Sequence, residues 1–283
     1  MTASIRWILA VTRAGARQTA DAASISVGRA LSRAGTKLLL YPHRSERVDV
    51  PATIERDGKR VDVIEDLIEY TGLDRDQVVG LIRRRHESFR AEWHALPLAV
   101  RSEAWFYLSS RTYLFANASH DAEELANDLT SFLPNSGNVL EFGGGTGNLA
   151  IALATRGHRV DYVERSALQK DFVRFRLEKH GLEEQIRVLD QWMPLAAGVY
   201  DLVCAMDVLE HIESVGETVA GVLRSIRPGG FLAESSPFVR NSSNPMHHET
   251  EADFVRLMQQ EDFTRVQRGE RFQLWRAEGA PKS

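Results

Sequence analysis

From Asn138 onward the chain alternates short apolar runs with stretches of helical spacing, and no other feature constrains its fold as much. The runs "NVLEF", "HRVDYV", "QIRVLD", "YDLVCAM" and "FLAESS" are strand-like. Between them lie "GNLAIALATRG", "SALQKDFVRFRLEKHG" and "GETVAGVLRSI", with "EADFVRLMQQ" after the last. Strand and helix in succession predict a parallel sheet, because parallel neighbours need a long crossover and that crossover is usually a helix. Strands covered on both faces read as continuous apolar runs, as "YDLVCAM" does. Pro228-Gly229-Gly230 stops the last crossover helix. "TRVQRGE" and "FQLWRAE" suit a closing antiparallel pair. The expected fold class is α/β, doubly wound and mostly parallel.

Before Leu133 the signals are mainly helical, so a boundary is expected near Asn135–Gly137. Residues 1–134 form a helical N-terminal region in this reading, and 135–283 the sheet domain. "SIRWILAVTRAGARQTADAASISVGRALSRAG" ends at Gly35, a C-cap signal. "TKLLLY" fits a strand or a buried helical turn equally well. Asp57-Gly58 in "RDGKRV" predicts a hairpin turn. "VDVIEDLIEYTG" predicts a helix stopped by Gly72, and Asp74 an N-cap for "DRDQVVGLIRRRHESFRAEWHAL".

Charge and cysteine content exclude several function classes. Residues 1–120 carry 18 Lys and Arg against 14 Asp and Glu, and residues 121–283 carry 17 against 25. An acidic second half disfavours nucleic acid as a partner. The basic, Ala- and Ser-rich first 45 residues resemble a transit peptide in composition. Surface helices with a solvated basic face are the preferred reading. "LIRRRHESFR" is diluted by Glu87 and reads as a solvated helix face. No apolar run approaches the roughly 20 residues of a membrane span. The single cysteine, Cys204, forms no disulfide framework, which suits a reducing, cytoplasmic compartment.

"VLEFGGGTGN" ends a strand and opens a helix, and in a doubly wound sheet the first such turn is the usual nucleotide site. Gly143, Gly144, Gly145 and Gly147 let backbone turn sharply and approach a ligand. The dinucleotide fingerprint needs glycine at its first, third and sixth positions, and the sixth here is Asn148. A G-x-G-x-G loop preceded by Glu141 suits a ligand with an amino group and no pyrophosphate. "VDYVE" ends in Glu164, at the distance where an acid pairs with ribose hydroxyls. "VLDQ" puts Asp190 and Gln191 where an adenine edge would lie. A tight turn and solvated strand ends would explain each signal alone. Acids at three successive strand ends point together to a nucleoside ligand.

With "YDLVCAMDVLEHI" and "LRSIRPGGFL", these motifs resemble class I S-adenosylmethionine-dependent methyltransferases over about residues 136–278, and the ubiquinone-biosynthesis O-methyltransferase-like group in particular. The resemblance implies a seven-stranded sheet with a reversed last hairpin. It implies S-adenosylmethionine as cofactor and methyl transfer to O, N or C of a small organic molecule. It also implies site roles: Gly143, Gly144, Gly145 and Gly147 at the methionine part, Glu141 near its amino group, Glu164 on the ribose, and Asp190 and Gln191 at the adenine. "EDF" at 261–263 lacks the glycine that relatives often carry before the aromatic residue, a departure confined to a loop. A non-catalytic cofactor-binding scaffold and an RNA methyltransferase are the alternatives.

Methyl transfer from a sulfonium is an in-line displacement, so alignment supplies most of the catalysis. A base is needed only if the acceptor must lose a proton. "MDVLEHI" follows the fourth strand and puts Asp207 at the rim of the methyl pocket, which makes Asp207 and His211 the catalytic candidates. Were the segment helical, Asp207, Glu210 and His211 would share a face. Three readings stay open. Asp207 is an N-cap of a polar helix start; or His211 or Asp207 is a general base; or a divalent metal is held by Asp207, Glu210 and His211 with His247 or His248 of "NPMHHET". The third resembles small-RNA 2′-O-methyltransferases and ubiquinone-biosynthesis O-methyltransferases, which use an acid-x-x-Glu-His string. The shorter arm of Asp207 counts against it, so no metal is assigned. Tyr107 and Tyr113, with polar tips in an aromatic stretch, and His247 and His248 are candidate substrate contacts. The N-terminal helices are expected to form a substrate lid or a homodimer surface.

Overall fold

The computed structural model describes residues 53–56, 59–119, 122–189, 194–241, 245–268 and 271–279. The readings made for the first 45 residues and for "TKLLLY" fall outside these, as do Asp190 and Gln191.

The described chain begins with β1 (Thr53–Arg56) and β2 (Lys59–Asp62), an antiparallel pair flanking the Asp57-Gly58 turn signal. Asp62 then caps α1 (Val63–Thr71) by accepting from the Ile64 and Glu65 N–H groups, and Gly72 closes it at φ +71. Asp74 caps α2 (Arg75–Arg83) in a reciprocal box with Gln77. The expected single helix breaks at Arg84, whose ψ of 13° leaves α3 (Arg85–Ala95) as a separate element. Next come α4 (Glu103–Ser109), α5 (Tyr113–Ala116) and α6 (Ala122–Thr130).

The sheet is built from β3 (Asn138–Phe142), β4 (Arg159–Val163), β5 (Ile186–Leu189), β6 (Tyr200–Met206), β7 (Ile226–Ser235), β8 (Phe263–Arg268) and β9 (Gln273–Ala277). Their order is β5-β4-β3-β6-β7-β9-β8, seven strands in all. The pairs from β5 through β7 are parallel, while β9 runs antiparallel to both β7 and β8. The order reverses at β3, and the crevice beside its carboxyl end is where such sheets bind ligands. Pro228-Gly229-Gly230 corrects the sequence reading: it lies inside β7, and the helix it was expected to stop has already ended at Arg224. Register shifts there between Tyr200 and Leu202 of β6, and Gly229 has φ +75. A bulge accommodates a proline that cannot donate to the ladder.

Helices cover both faces. On one, α7 (Asn148–Ala154) and α8 (Ala167–His180) bury Ile151, Val173 and Leu177 against Val139, Tyr162 and Cys204. On the other, α9 (Val215–Arg224) and α10 (Glu251–Gln260) bury Val219, Leu223, Phe254 and Met258 against Leu140, Val203 and Leu232. Cys204 is a buried thiol, as its place in an apolar run suggests. No described helix is long and apolar enough to cross a membrane.

Candidate active site

A cavity of about 500 Å³ opens at the carboxyl ends of β3, β4 and β6. Its walls include Gly143, Glu164, Asp207 and His211 from the sheet domain, and Ser102, Tyr107 and Tyr113 from the N-terminal helices. The glycine loop forms one edge. Gly143, Gly145 and Gly147 have φ of +77°, +54° and +73°, conformations only glycine adopts readily. The Gly143 N–H bonds to Val163 O at 2.7 Å, tying the loop to β4.

Glu164 is buried beneath this loop and accepts from Gly145 N at 3.0 Å and Ser166 N at 2.8 Å. Burial raises its carboxyl, and those N–H groups pull it back part of the way. The carboxylate has about four acceptor sites, which leaves room for a further donor such as a ribose hydroxyl. Glu141 is also buried and accepts from Ala150 N at 3.0 Å. Burial, with Glu164 nearby, pushes it up to about 8 despite that bond. It lines a smaller cavity under the loop with Asn117, Asn148 and Met206.

Asp207 departs from the helical reading. It sits at φ +53, in the left-handed region that Asp tolerates better than most residues, and its N–H bonds to Ser235 O at 2.6 Å. It is not an N-cap. The next element is a 3₁₀ turn, Leu209–His211, flanked by Val208. The tight turn tucks Leu209 and Glu210 inside, each 1% exposed, and leaves Asp207 on the cavity wall.

His211 meets Tyr107 across the cavity, with Nδ1 at 2.9 Å from the Tyr107 hydroxyl. Its ring packs edge-on against His247 at 4.6 Å between centroids. Burial, with His247 and His248 nearby, lowers its pKa to about 3. A ring held so low is neutral and a weak base. Tyr113 stays a neutral phenol: burial and the nearby acids Glu164, Glu210 and Asp207 push it above the usual range.

Glu210, His211 and His247 bring one ligand atom each within 4.8 Å of one another. These residues fit a divalent cation on three counts. Glu210 Oε2 is buried without a hydrogen-bond partner. Burial, with Asp207 and Glu234 adding repulsion, holds the carboxyl up to about 8, so its ionised form lacks the counter-charge that a cation would supply. His247 Nδ1 lies 3.1 Å from Pro237 O, and His211 Nδ1 meets Tyr107, so each imidazole has an outer partner that fixes its other nitrogen. The set differs from the sequence reading: Asp207 and His248 are not in it. Asp207 turns to the cavity wall, and His248 contributes its backbone N–H to Glu210 O at 2.7 Å.

Four residues with no sequence signal also shape the site. Asn117 packs on the loop, where a Gly145 Cβ would meet its Nδ2 at 2.2 Å. The Tyr162 hydroxyl donates to Gly145 O. Arg176, braced by Asp66, holds the loop from behind.

A glycine loop and buried acids at successive strand ends, over a doubly wound sheet with a reversed last hairpin, define a nucleoside-binding α/β protein. Residues 115–278 match the methyltransferase domain family, and the chain belongs to it. It is 32% identical over 126 residues to dimethylglycine N-methyltransferase of Parasynechococcus marenigrum, covering 43% of this chain and 45% of that one. It is 30% identical over 100 residues to ubiquinone biosynthesis O-methyltransferase of Bordetella avium, covering 33% and 40%. The matches thus span less than half the length of these curated relatives. Among solved structures, geranyl diphosphate C-methyltransferase of Streptomyces coelicolor has a TM-score of 0.45 at 16% identity, covering 54% of this chain and 62% of that one.

Proposed function

We propose that the protein transfers a methyl group from S-adenosylmethionine to an O, N or C atom of a small organic molecule. One observation carries the reading: a single cavity joins the glycine loop and Glu164 to Asp207, His211 and Tyr107. In this reading the loop receives the methionine part, Glu164 accepts from the ribose hydroxyls, and Asp190 and Gln191 serve the adenine. Glu141 meets the amino group from beneath the loop. Asp207, Tyr107, Tyr113 and His211 then border the acceptor. The Tyr107 and Tyr113 hydroxyls would orient an acceptor, and the un-ionised Tyr113 does so without competing for the methyl group. Asp207 is an acid on that wall for an acceptor that must lose a proton. The N-terminal helices act as the substrate-side wall, and a cytoplasmic location fits this chemistry. Similarity to both an N- and an O-methyltransferase leaves the acceptor atom open.

Calorimetry is expected to show one site each for S-adenosylmethionine and S-adenosylhomocysteine. Mass spectrometry of an extract incubated with methyl-labelled cofactor should then reveal a labelled small molecule. Absence of binding would refute the reading. Binding without any labelled product would favour the scaffold.

The buried acid–imidazole cluster favours a second element. Glu210, His211 and His247 would hold a divalent metal such as Zn or Mn, whose mixed ligand preference they match. Such an ion would polarise an acceptor hydroxyl. We expect elemental analysis of the purified protein to show about one equivalent, and chelation to reduce turnover at least tenfold. Full turnover in metal-depleted protein would remove this element and leave the methyltransferase reading standing.

A further inference from the structure

Arg176 is fully buried, an expensive place for a guanidinium unless its charge and donors are matched. Its Nη1 donates to Thr146 O at 2.7 Å and to Asn148 Oδ1 at 2.7 Å. Thr146 lies between Gly145 and Gly147, both left-handed, so it belongs to the part of the loop with the most alternative conformations. Asn148 opens α7 directly behind it. Arg176 Nε donates to Asp66 Oδ2 at 2.8 Å, and Asp66, 1% exposed, comes from α1. The guanidinium also lies over the Phe172 ring at 5.7 Å. Asp66 is held in turn by His180 Nε2 at 2.9 Å and Lys179 Nζ at 3.0 Å. Burial works against its charge, but these partners hold its carboxyl down at about 2.

From this arrangement we infer that Arg176, braced by Asp66, is a positioning residue. It sets the glycine loop for the cofactor and makes cofactor affinity depend on the docking of an N-terminal helix. The inference rests on the methyltransferase reading. Neither side chain lines the cavity, so any effect on affinity passes through Thr146 and Asn148. Arginine is required because its planar fork donates in two directions at once, to Asp66 and to the loop; a lysine ammonium is a single point.

The test is calorimetric titration of S-adenosylhomocysteine into wild type, Arg176→Lys and Asp66→Asn, with melting temperatures measured alongside. Leu257→Ala, which thins the core beneath α10 on the other face of the sheet, serves as a stability control. Arg176→Lys and Asp66→Asn are each expected to weaken binding about tenfold or more, the scale of losing a charged hydrogen bond. Leu257→Ala should lower the melting temperature and leave affinity unchanged. Should a buried-pair variant fail to fold, Asn148→Ala removes one of the two loop-side acceptors, leaving Thr146 O, and is expected to weaken binding several-fold. Lower melting temperatures with affinity within about twofold of wild type would reduce the pair to a structural ion pair and overturn the inference. A wild-type chain that binds no S-adenosylhomocysteine would instead overturn the functional reading, and this inference with it.

Discussion

Replacing Gly143 by alanine is expected to weaken cofactor binding by roughly 30-fold or more. Gly143 has φ +77, and a Cβ there would lie 2.3 Å from Val208 Cγ2 and 2.8 Å from its Cγ1. The left-handed backbone costs a non-glycine residue about 1–2 kcal/mol. Forcing a methyl group into packed surroundings adds about 1–3 kcal/mol. The sum, about 2–5 kcal/mol, weakens binding by roughly 30-fold or more if relief comes from moving the loop. Relief by moving Val208 is no better, because Val208 adjoins Asp207, itself at φ +53. Gly157 supplies the control. It has φ +89 and nothing within 4 Å of a Cβ, so Gly157→Ala should carry backbone strain alone and leave affinity intact. Calorimetry with S-adenosylhomocysteine distinguishes the two. Normal affinity in Gly143→Ala would mean that the loop does not cradle the ligand.

The fold was legible wherever burial leaves a mark on consecutive residues. β6 is buried almost throughout, so "YDLVCAM" has no alternation and reads as a central parallel strand. The loop was legible because its positive φ values restrict three positions to glycine. Pro228-Gly229-Gly230 was misread because it is a bulge inside β7, set between the β6 pairings of Ile226 and Phe231, and local preference does not reveal it. "DVLEHI" was legible as to place and not as to shape. Over so few residues, spacing does not separate an α-helix from a 3₁₀ turn, yet the choice decides which acids meet. It puts Asp207 on the cavity wall and Glu210 inside with His211 and His247. Arg176 was illegible for a different reason. In "VRFRLEKH" Arg174 is exposed and Arg176 buried, and the difference is a carboxylate 110 residues away. A pattern within one helix carries no trace of a partner at that distance.

In metal-depleted protein, Glu210→Gln is expected to abolish a large, pH-dependent loss of stability. Burial, reinforced by Asp207 and Glu234, raises Glu210 from 4.5 to about 8 in the folded chain. Between those values the folded state keeps a proton that the unfolded chain has released. Stability therefore falls as pH rises, by about 1.4 kcal/mol per unit. The loss begins near the unfolded pKa, is complete above the folded one, and amounts to roughly 4–5 kcal/mol for this group. Glutamine cannot ionise, so the variant should match wild type at pH 4.5 and exceed it increasingly toward pH 8.5. Glu141, raised to about 8 by burial, keeps a similar slope in both proteins, so the comparison isolates Glu210. Denaturant unfolding across that range provides the measurement, and parallel profiles would show that Glu210 is not held neutral. The same experiment with added Zn or Mn examines the metal. A cation binds the ionised carboxylate and should flatten the wild-type slope above about pH 6, while Glu210→Gln should respond little or not at all.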